Sequence, residues 1–163
     1  MTVLAVDAYS IALAAHIMAV VAGFGLPMGY PLLVPYVKRT NPTAMPAVHD
    51  VQLRLNRMVT APALVIIFIL GGYMANDADV FGEIWVIVPL VILVVIGGVG
   101  GAIINPTLVK LIPRARADVD AAGSNPAVTF SADYEALYAK YLRAEQLLGV
   151  LVLVAIFFMA AKP

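Results

Sequence analysis

The chain has 163 residues, of which 63% are apolar and only 12% are charged. Soluble domains have roughly 45–50% apolar and about 25% charged residues, and a small domain exposes most of its surface, so this composition argues against a soluble enzyme. Ten basic residues balance ten acidic ones and there is no cysteine, which argues against a nucleic-acid partner and excludes disulfides and thiolate metal sites.

Four stretches are long and apolar enough to cross a bilayer as helices, which takes about 20 residues each. They cover about 8–37, 58–75, 84–109 and 141–161. The last stretch reaches this length only by including Glu145 and Gln146, which must lie at the headgroup level or face the interior of the bundle. The sequence therefore predicts a multi-pass protein of the lipid bilayer, with residues 1–163 forming a single domain.

The first predicted helix contains His16, about 12 Å from its N-terminal end if the helix begins near Ala8. An ionisable side chain at this depth is rare and marks a functional site by default. Its imidazole suits haem iron, copper, zinc or a proton relay. The alternative is a neutral histidine that hydrogen-bonds a group across the bundle, such as Thr60 or Tyr9.

The same helix carries Pro27, Pro31 and Pro35 at intervals of four residues, so they lie along one helical face. Each proline lacks the N–H group that would pair with the carbonyl four residues earlier. The carbonyl groups of Gly23, Pro27 and Pro31 therefore need other partners. The pattern predicts either a kink that neighbouring helices satisfy or an ion site of the kind that broken helices form in transporters.

The second predicted helix begins before the bilayer, with an apolar stripe at helical spacing. Within it, Arg54 and Arg57 lie one turn apart at the inner membrane boundary. They either anchor the helix among headgroups or form a basic pocket for the carboxylates of a porphyrin, a quinone headgroup or an anionic lipid. The stripe consists of Ala44, Val48, Val51, Leu55, Met58 and Pro62.

The third predicted helix contains Gly97 and Gly101, a spacing that permits close packing within the bundle or against a second copy in a homo-oligomer. Residues 114–130 lack periodicity and are predicted to form a mobile loop. The fourth helix is predicted to begin at the N-cap Ser131. An apolar stripe leads it into the membrane: Tyr134, Leu137, Tyr138, Tyr141 and Leu142.

The distribution of basic residues predicts the orientation. Nine of the ten lie in the first and third connections, so the positive-inside rule places both termini outside and these connections in the cytoplasm. We therefore predict an all-α antiparallel four-helix bundle, N-out and C-out, whose second and fourth helices extend into the cytoplasm. The nine are Lys38, Arg39, Arg54, Arg57, Lys110, Arg114, Arg116, Lys140 and Arg143.

Three functions are compatible with these features. The leading hypothesis is an accessory membrane protein whose cytoplasmic extensions either cover each other's apolar faces or dock a protein partner. The second is a haem-binding redox protein with His16 as axial ligand and Arg54 and Arg57 as carboxylate partners. The third is an oligomeric transporter or channel that uses the broken first helix.

Several short motifs resemble a known group of proteins. They are residues 14–23 (AAHIMAVVAG), 33–34 (LV), 38–39 (KR), 70–73 (LGGY) and 158–163 (FMAAKP). With them the chain resembles small four-helix bacterial integral membrane proteins of an uncharacterised family, related to copper-resistance protein D and HemJ-type protoporphyrinogen oxidases. The resemblance implies the bacterial inner membrane as the location, and His16 as a candidate ligand of haem b.

Overall fold

The computed structural model describes residues 7–163, in which four long helices follow one another along the chain. They are α1 (Ala8–Thr40), α2 (Pro42–Asp77), α3 (Ile84–Ala122) and α4 (Ala132–Ala161). Each of them is long and apolar enough to cross a membrane. The prediction of an all-α, four-helix membrane bundle is confirmed.

Three of these helices contain an irregular segment. In α1 it is a 3₁₀ turn at Pro27–Gly29, and in α2 and α3 it is a π-helical turn at Asn56–Thr60 and Gly100–Ile104. Each π turn is followed, two residues after its end, by a proline: Pro62 in α2 and Pro106 in α3. Because a proline removes one donor and crowds the preceding turn, it accounts for a local change of helical pitch.

The interior of the bundle has two stacked cores. The membrane core contains apolar side chains from all four helices: Ala19, Phe24, Ile67, Ile92, Ile96 and Val152. The second core, on the predicted cytoplasmic side, is rich in tyrosine: Tyr30, Val34, Met45, Leu53, Ile104, Leu108, Leu111, Ala115, Tyr134, Tyr138 and Tyr141. The helical extensions therefore bury their faces against one another.

The predicted loop at residues 114–130 is wrong in its first half, because α3 continues to Ala122. Its extension is held by Leu108, Leu111 and Ala115, which are buried on one face against the tyrosine-rich core. Burial of that face outweighs the interruption that Pro113 introduces. The helix ends at Gly123, whose φ of 59° a residue with a side chain rarely adopts.

The predicted stripe of α2 is correct only in part. Val48 packs against the tyrosine-rich core, but Val51 is 53% exposed. The buried face carries Met45, His49 and Gln52 instead, because the polar side chains of His49 and Gln52 have hydrogen-bond partners on α4.

The α4 prediction is confirmed: its three stripe tyrosines are buried, and the Ser131 side chain accepts a hydrogen bond from the backbone N–H of Tyr134.

Close packing of α1 on α2 depends on two glycines. A Cβ atom at Gly23 would lie 2.8 Å from the Cβ of Ala63, and one at Gly71 would lie 3.3 Å from Cε1 of His16. By contrast, a Cβ at Gly97 or Gly101 would meet nothing within 4 Å. Within residues 7–163 these two glycines thus make no close helix contact, and the homo-oligomer face stays a prediction.

Candidate functional site: a polar cavity between the four helices

A cavity of about 140 Å³ lies between the four helices, at the level where α1, α2 and α3 are irregular. This volume is well above the roughly 10–15 Å³ that one water molecule needs. Much of the wall is apolar, and four glycines contribute to it, so main chain borders part of the space. The polar wall residues are Asn56, Thr60, Asn105 and Glu145, and the glycines are Gly97, Gly100, Gly101 and Gly149.

Glu145 is the acidic residue of this wall and is only 5% exposed. The ion pairs in the described part of the chain are Lys38 with Glu135 and Arg54 with Asp50, and neither includes Glu145. An ionised carboxylate in an apolar surrounding is unfavourable unless a counter-charge or hydrogen bonds compensate it. Glu145 therefore suits a site that holds a proton or a small cation.

The polar groups next to the irregular segments pair across helices. The amide of Asn56 on α2 donates to the side-chain oxygen of Asn105 on α3 at 3.5 Å. The Thr60 hydroxyl donates to the Gly23 carbonyl at 3.2 Å, and that carbonyl is one that a proline leaves without its helical donor. The sequence alternative in which a neighbouring helix satisfies the break in α1 is therefore confirmed at Gly23.

A buried chain of hydrogen bonds joins α2 to α4 within the tyrosine-rich core. It ends at Tyr141, which lies one turn before Glu145 on α4, and both side chains are buried. The Gln52 amide nitrogen donates to the Tyr141 hydroxyl at 2.5 Å. The Gln52 amide oxygen lies 3.1 Å from Nδ1 of His49, and Nε2 of His49 lies 3.0 Å from the Tyr134 hydroxyl.

The donors and acceptors along this chain fix its direction. Since the amide oxygen of Gln52 can only accept, Nδ1 of His49 carries the hydrogen, and Nε2 accepts from the Tyr134 hydroxyl. The Tyr141 hydroxyl accepts from Gln52, so every donor points from Tyr134 toward Tyr141, and successive hydrogen bonds of this kind polarise one another.

The protonation states of His49 and Tyr134 maintain this direction of the hydrogen bonds. Burial lowers the pKa of His49 to about 4, helped by the positive charge of Lys38, so its imidazole is neutral at neutral pH. Burial also raises the pKa of Tyr134 well above its ordinary value. The Tyr134 hydroxyl therefore keeps the hydrogen that it donates to His49.

His16 lies apart from this cavity, in the membrane core between α1 and α2. It is 5% exposed and its ring faces Gly71. Nδ1 of His16 has no hydrogen-bond partner among the described residues. Of the partners predicted from the sequence, Thr60 bonds Gly23 instead, and Tyr9 is 37% exposed and makes no hydrogen bond to His16.

Arg54 and Arg57 lie on the outside of α2, where both are exposed. Arg54 pairs with Asp50 at 2.8 Å. The His16 ring faces Gly71 of α2. Arg57 lies 14 residues before Gly71, which is a rise of about 21 Å along a helix. The three residues predicted for one haem site are therefore not brought together. Haem ligation by His16 alone stays a prediction, and the described residues hold no cluster of three or more metal-binding side chains.

The sequence places Glu145 either at the headgroup level or in the interior of the bundle, but Gln52 and Asn56 were missed as parts of a site. The signal that could have found Asn56 is its interval to the next proline, whereas nothing comparable marks Gln52. Asn56 precedes Pro62 by six residues and opens the π turn of α2. In α3, the same interval before Pro106 falls on Gly100, which opens the other π turn.

The comparison with known families agrees with this architecture. A family model described as predicted integral membrane protein, DUF2269, matches residues 10–163. The chain belongs to the DUF2269 family. Membership confirms the expected small integral membrane protein, whereas the relation to copper-resistance protein D and HemJ-type enzymes stays a prediction. No curated protein and no solved structure matches the chain.

Proposed function

We propose that this DUF2269 protein passes protons or a small monovalent cation across the membrane and that Glu145 is the binding group. The observation that carries the proposal is a buried carboxyl group that faces a cavity between all four helices and takes part in no described ion pair. Such a group needs a proton or a bound cation as its counter-charge. Intramembrane carboxyl and imidazole groups are the usual relay groups of proton pathways.

The positions of the ionisable groups support a path rather than a static buried acid. Glu145 is near the inner end of the membrane core, and His16, with a free Nδ1, lies in its outer part. The irregular turns of α1, α2 and α3 border the cavity next to Glu145. π turns are frequent at functional sites.

The hydrogen-bond chain ends at Tyr141, one turn before Glu145 on α4, and holds the tyrosine-rich side of the site in place. The Gln52 amide cannot itself pass a proton in an ordinary transfer. We therefore assign the chain a positioning role, with the cavity as the route that water or the cation takes.

The test is flux into liposomes that contain the purified protein and a pH-sensitive dye, with a membrane potential as the driving force. We expect Glu145→Gln to reduce proton entry to the rate of empty liposomes. Glu83→Gln is the matched control, because Glu83 is exposed at the start of α3 and its side chain makes no capping hydrogen bond. Unchanged proton and cation flux in Glu145→Gln would contradict the proposal.

The same assay, run with Na⁺, K⁺ or an impermeant cation outside the liposomes, identifies the ion that the protein passes. Proton entry that is independent of the external cation indicates proton transport, whereas entry or uptake that needs Na⁺ or K⁺ indicates a cation site. A thermal unfolding curve in detergent shows whether Glu145→Gln is folded. We expect it to be at least as stable as the unsubstituted protein, since it removes a buried ionisable group.

Haem binding at His16 is a second candidate, favoured by the buried, unpartnered Nδ1 of its ring. It predicts a Soret absorption band in the purified protein that is lost in His16→Ala. The accessory role also stays a hypothesis. The apolar faces of the helical extensions are buried against one another, which favours the alternative in which they cover each other. The bacterial inner membrane remains the expected location.

A further inference from the structure

The cavity at Glu145 opens to one side of the bundle, between α2 and α3. Three of its wall residues are exposed: Ala61 on α2, and Gly97 and Gly101 on α3. The described wall residues of α1 and α4 are buried or only partly exposed. All three exposed residues lie within spans predicted from the sequence, so the opening faces the acyl chains of the lipid. A compound that dissolves in the bilayer can therefore enter the cavity from the side.

The size and the wall of the cavity suit a small apolar group. Its volume is about 140 Å³, close to the volume of roughly 150 Å³ of an engineered protein cavity that binds benzene. Apolar side chains from all four helices form most of the wall, among them Phe24, Leu64, Ile96, Leu148 and Val152. Ligand sites are typically of this kind, mostly apolar with a few polar groups.

The glycines of the wall border space that no side chain fills. A Cβ atom at Gly97, Gly100, Gly101 or Gly149 would meet nothing within 4 Å. These glycines therefore do not serve close packing of one helix on another within the described residues. They leave room beside the main chain of α3 and α4 that a ligand can occupy.

The carboxyl group of Glu145 faces this apolar space. Glu145, Leu148, Gly149 and Val152 lie three, four and seven residues apart, on one face of α4, and all four line the cavity. Glu145 is only 5% exposed and belongs to neither of the ion pairs formed by residues 7–163. A cation with an apolar body would satisfy both the carboxylate and the wall.

The polar wall groups are a poor shell for a bare alkali ion, which needs oxygen ligands on all sides to replace its water. The Asn56 amide already donates to the side-chain oxygen of Asn105, and the Thr60 hydroxyl to the carbonyl of Gly23. An ammonium group needs acceptors only for its N–H groups. The carboxylate of Glu145 supplies such acceptors, and the organic part of the molecule contacts the apolar wall.

We propose that the cation bound by Glu145 is the ammonium group of a small lipophilic amine, whose apolar part is about the size of a benzene ring. This inference rests on the proposed function, because it takes Glu145 as the ion-binding group. The neutral amine enters from the lipid and takes the proton of the carboxyl group. The O–H bond of Glu145 breaks, an N–H bond forms, and the ammonium stays beside the carboxylate.

Binding is measured by fluorine NMR of 4-fluorobenzylamine added to the purified protein in a neutral detergent, with empty micelles as the background. 4-Fluorobenzyl alcohol, which has the same ring but no basic nitrogen, is the matched probe. We expect the amine to bind at least about tenfold more tightly than the alcohol. Glu145→Gln should raise the dissociation constant of the amine at least about tenfold, because it removes one partner of a buried charge pair.

Gly100→Leu tests the place of the apolar group, because its side chain would take up space beside the cavity. We expect it to raise the dissociation constant of both probes at least about tenfold. Gly98→Leu is the matched control: Gly98 is exposed on the same helix, a Cβ there also meets nothing within 4 Å, and it does not line the cavity. It should bind the amine as the unsubstituted protein does.

Equal binding of the amine to the unsubstituted protein and Glu145→Gln would overturn the proposal, and so would equal binding of the amine and the alcohol. Loss of amine binding in Gly98→Leu as well as in Gly100→Leu would also overturn the placement. If Glu145→Gln does not fold, the comparison of amine and alcohol decides.

The liposome assay separates this inference from the proposed function. An amine that does not bind, together with proton flux that is lost in Glu145→Gln, would overturn the inference and leave the proposed function standing. Amine binding that needs Glu145, in a protein that passes neither protons nor cations, would overturn the proposed function and leave the amine site standing.

Discussion

Replacing Gln52 with leucine tests the buried hydrogen-bond chain most directly. Gln52 is 2% exposed and joins His49 to Tyr141 through both atoms of its amide. Leucine has a similar size but can neither accept from Nδ1 of His49 nor donate to the hydroxyl of Tyr141. The substitution therefore leaves two buried polar groups without their partner.

Each buried group left unpaired costs roughly 1–3 kcal/mol, so the gross loss is about 2–6 kcal/mol. Leucine recovers part of this loss because it removes the cost of burying an amide and adds apolar surface. We expect the free energy of unfolding to fall by about 2–4 kcal/mol. Gln146→Leu on α4 is the control, since Gln146 is exposed and its replacement should change the free energy by less than about 0.5 kcal/mol.

The assay is reversible unfolding in mixed micelles with increasing denaturing detergent, followed by circular dichroism. A double-mutant cycle with Tyr134→Phe extends it, because Tyr134 donates to the far side of His49. The two losses should be non-additive, since both residues act on one imidazole ring. A change of less than about 0.5 kcal/mol in Gln52→Leu would contradict this prediction, because it would mean that the hydrogen-bond chain contributes no more to stability than an exposed glutamine.

Three further predictions follow from single residues. The pKa of His49 is about 4 in the folded chain and 6.5 in the unfolded chain, so between these pH values the unfolded chain binds a proton at His49 that the folded chain does not. The free energy of unfolding should therefore fall by about 3 kcal/mol as the pH falls from 6.5 to 4. His49→Gln should abolish this change in a pH–stability curve. Gly23→Ala should lower the free energy of unfolding by about 1–3 kcal/mol, since the new Cβ would lie 2.8 Å from Ala63, whereas Gly98→Ala, with nothing within 4 Å, should lower it by no more than about 0.5 kcal/mol. Ser124→Cys gives the chain its only thiol; in sealed cells an impermeant maleimide added outside should leave it unlabelled, and rapid labelling would reverse the predicted orientation.

The sequence was sufficient to predict the four spans, because a bilayer selects for the summed hydropathy of about 20 consecutive residues. It was also sufficient for the tyrosine stripe of α4, whereas for Glu145 it left two positions open, the headgroup level and the interior of the bundle. His16 was recognised because an ionisable side chain within a spanning helix must avoid lipid. Each of these properties depends on residues that are close together along the chain.

Which residues surround Glu145 depends on how the four helices pack. The hydrogen bonds of His49 with Tyr134 and of Gln52 with Tyr141 join residues 85 and 89 positions apart, and helical periodicity carries no information about such pairs. For that reason the apolar stripe of α2 was predicted with Val51 rather than His49 and Gln52 on the packed face, and one hypothesis placed Arg54 and Arg57 at a haem held by His16. Hydropathy is a local sum, whereas the complementarity of donors and acceptors arises only when four helices pack at one particular rotation and height.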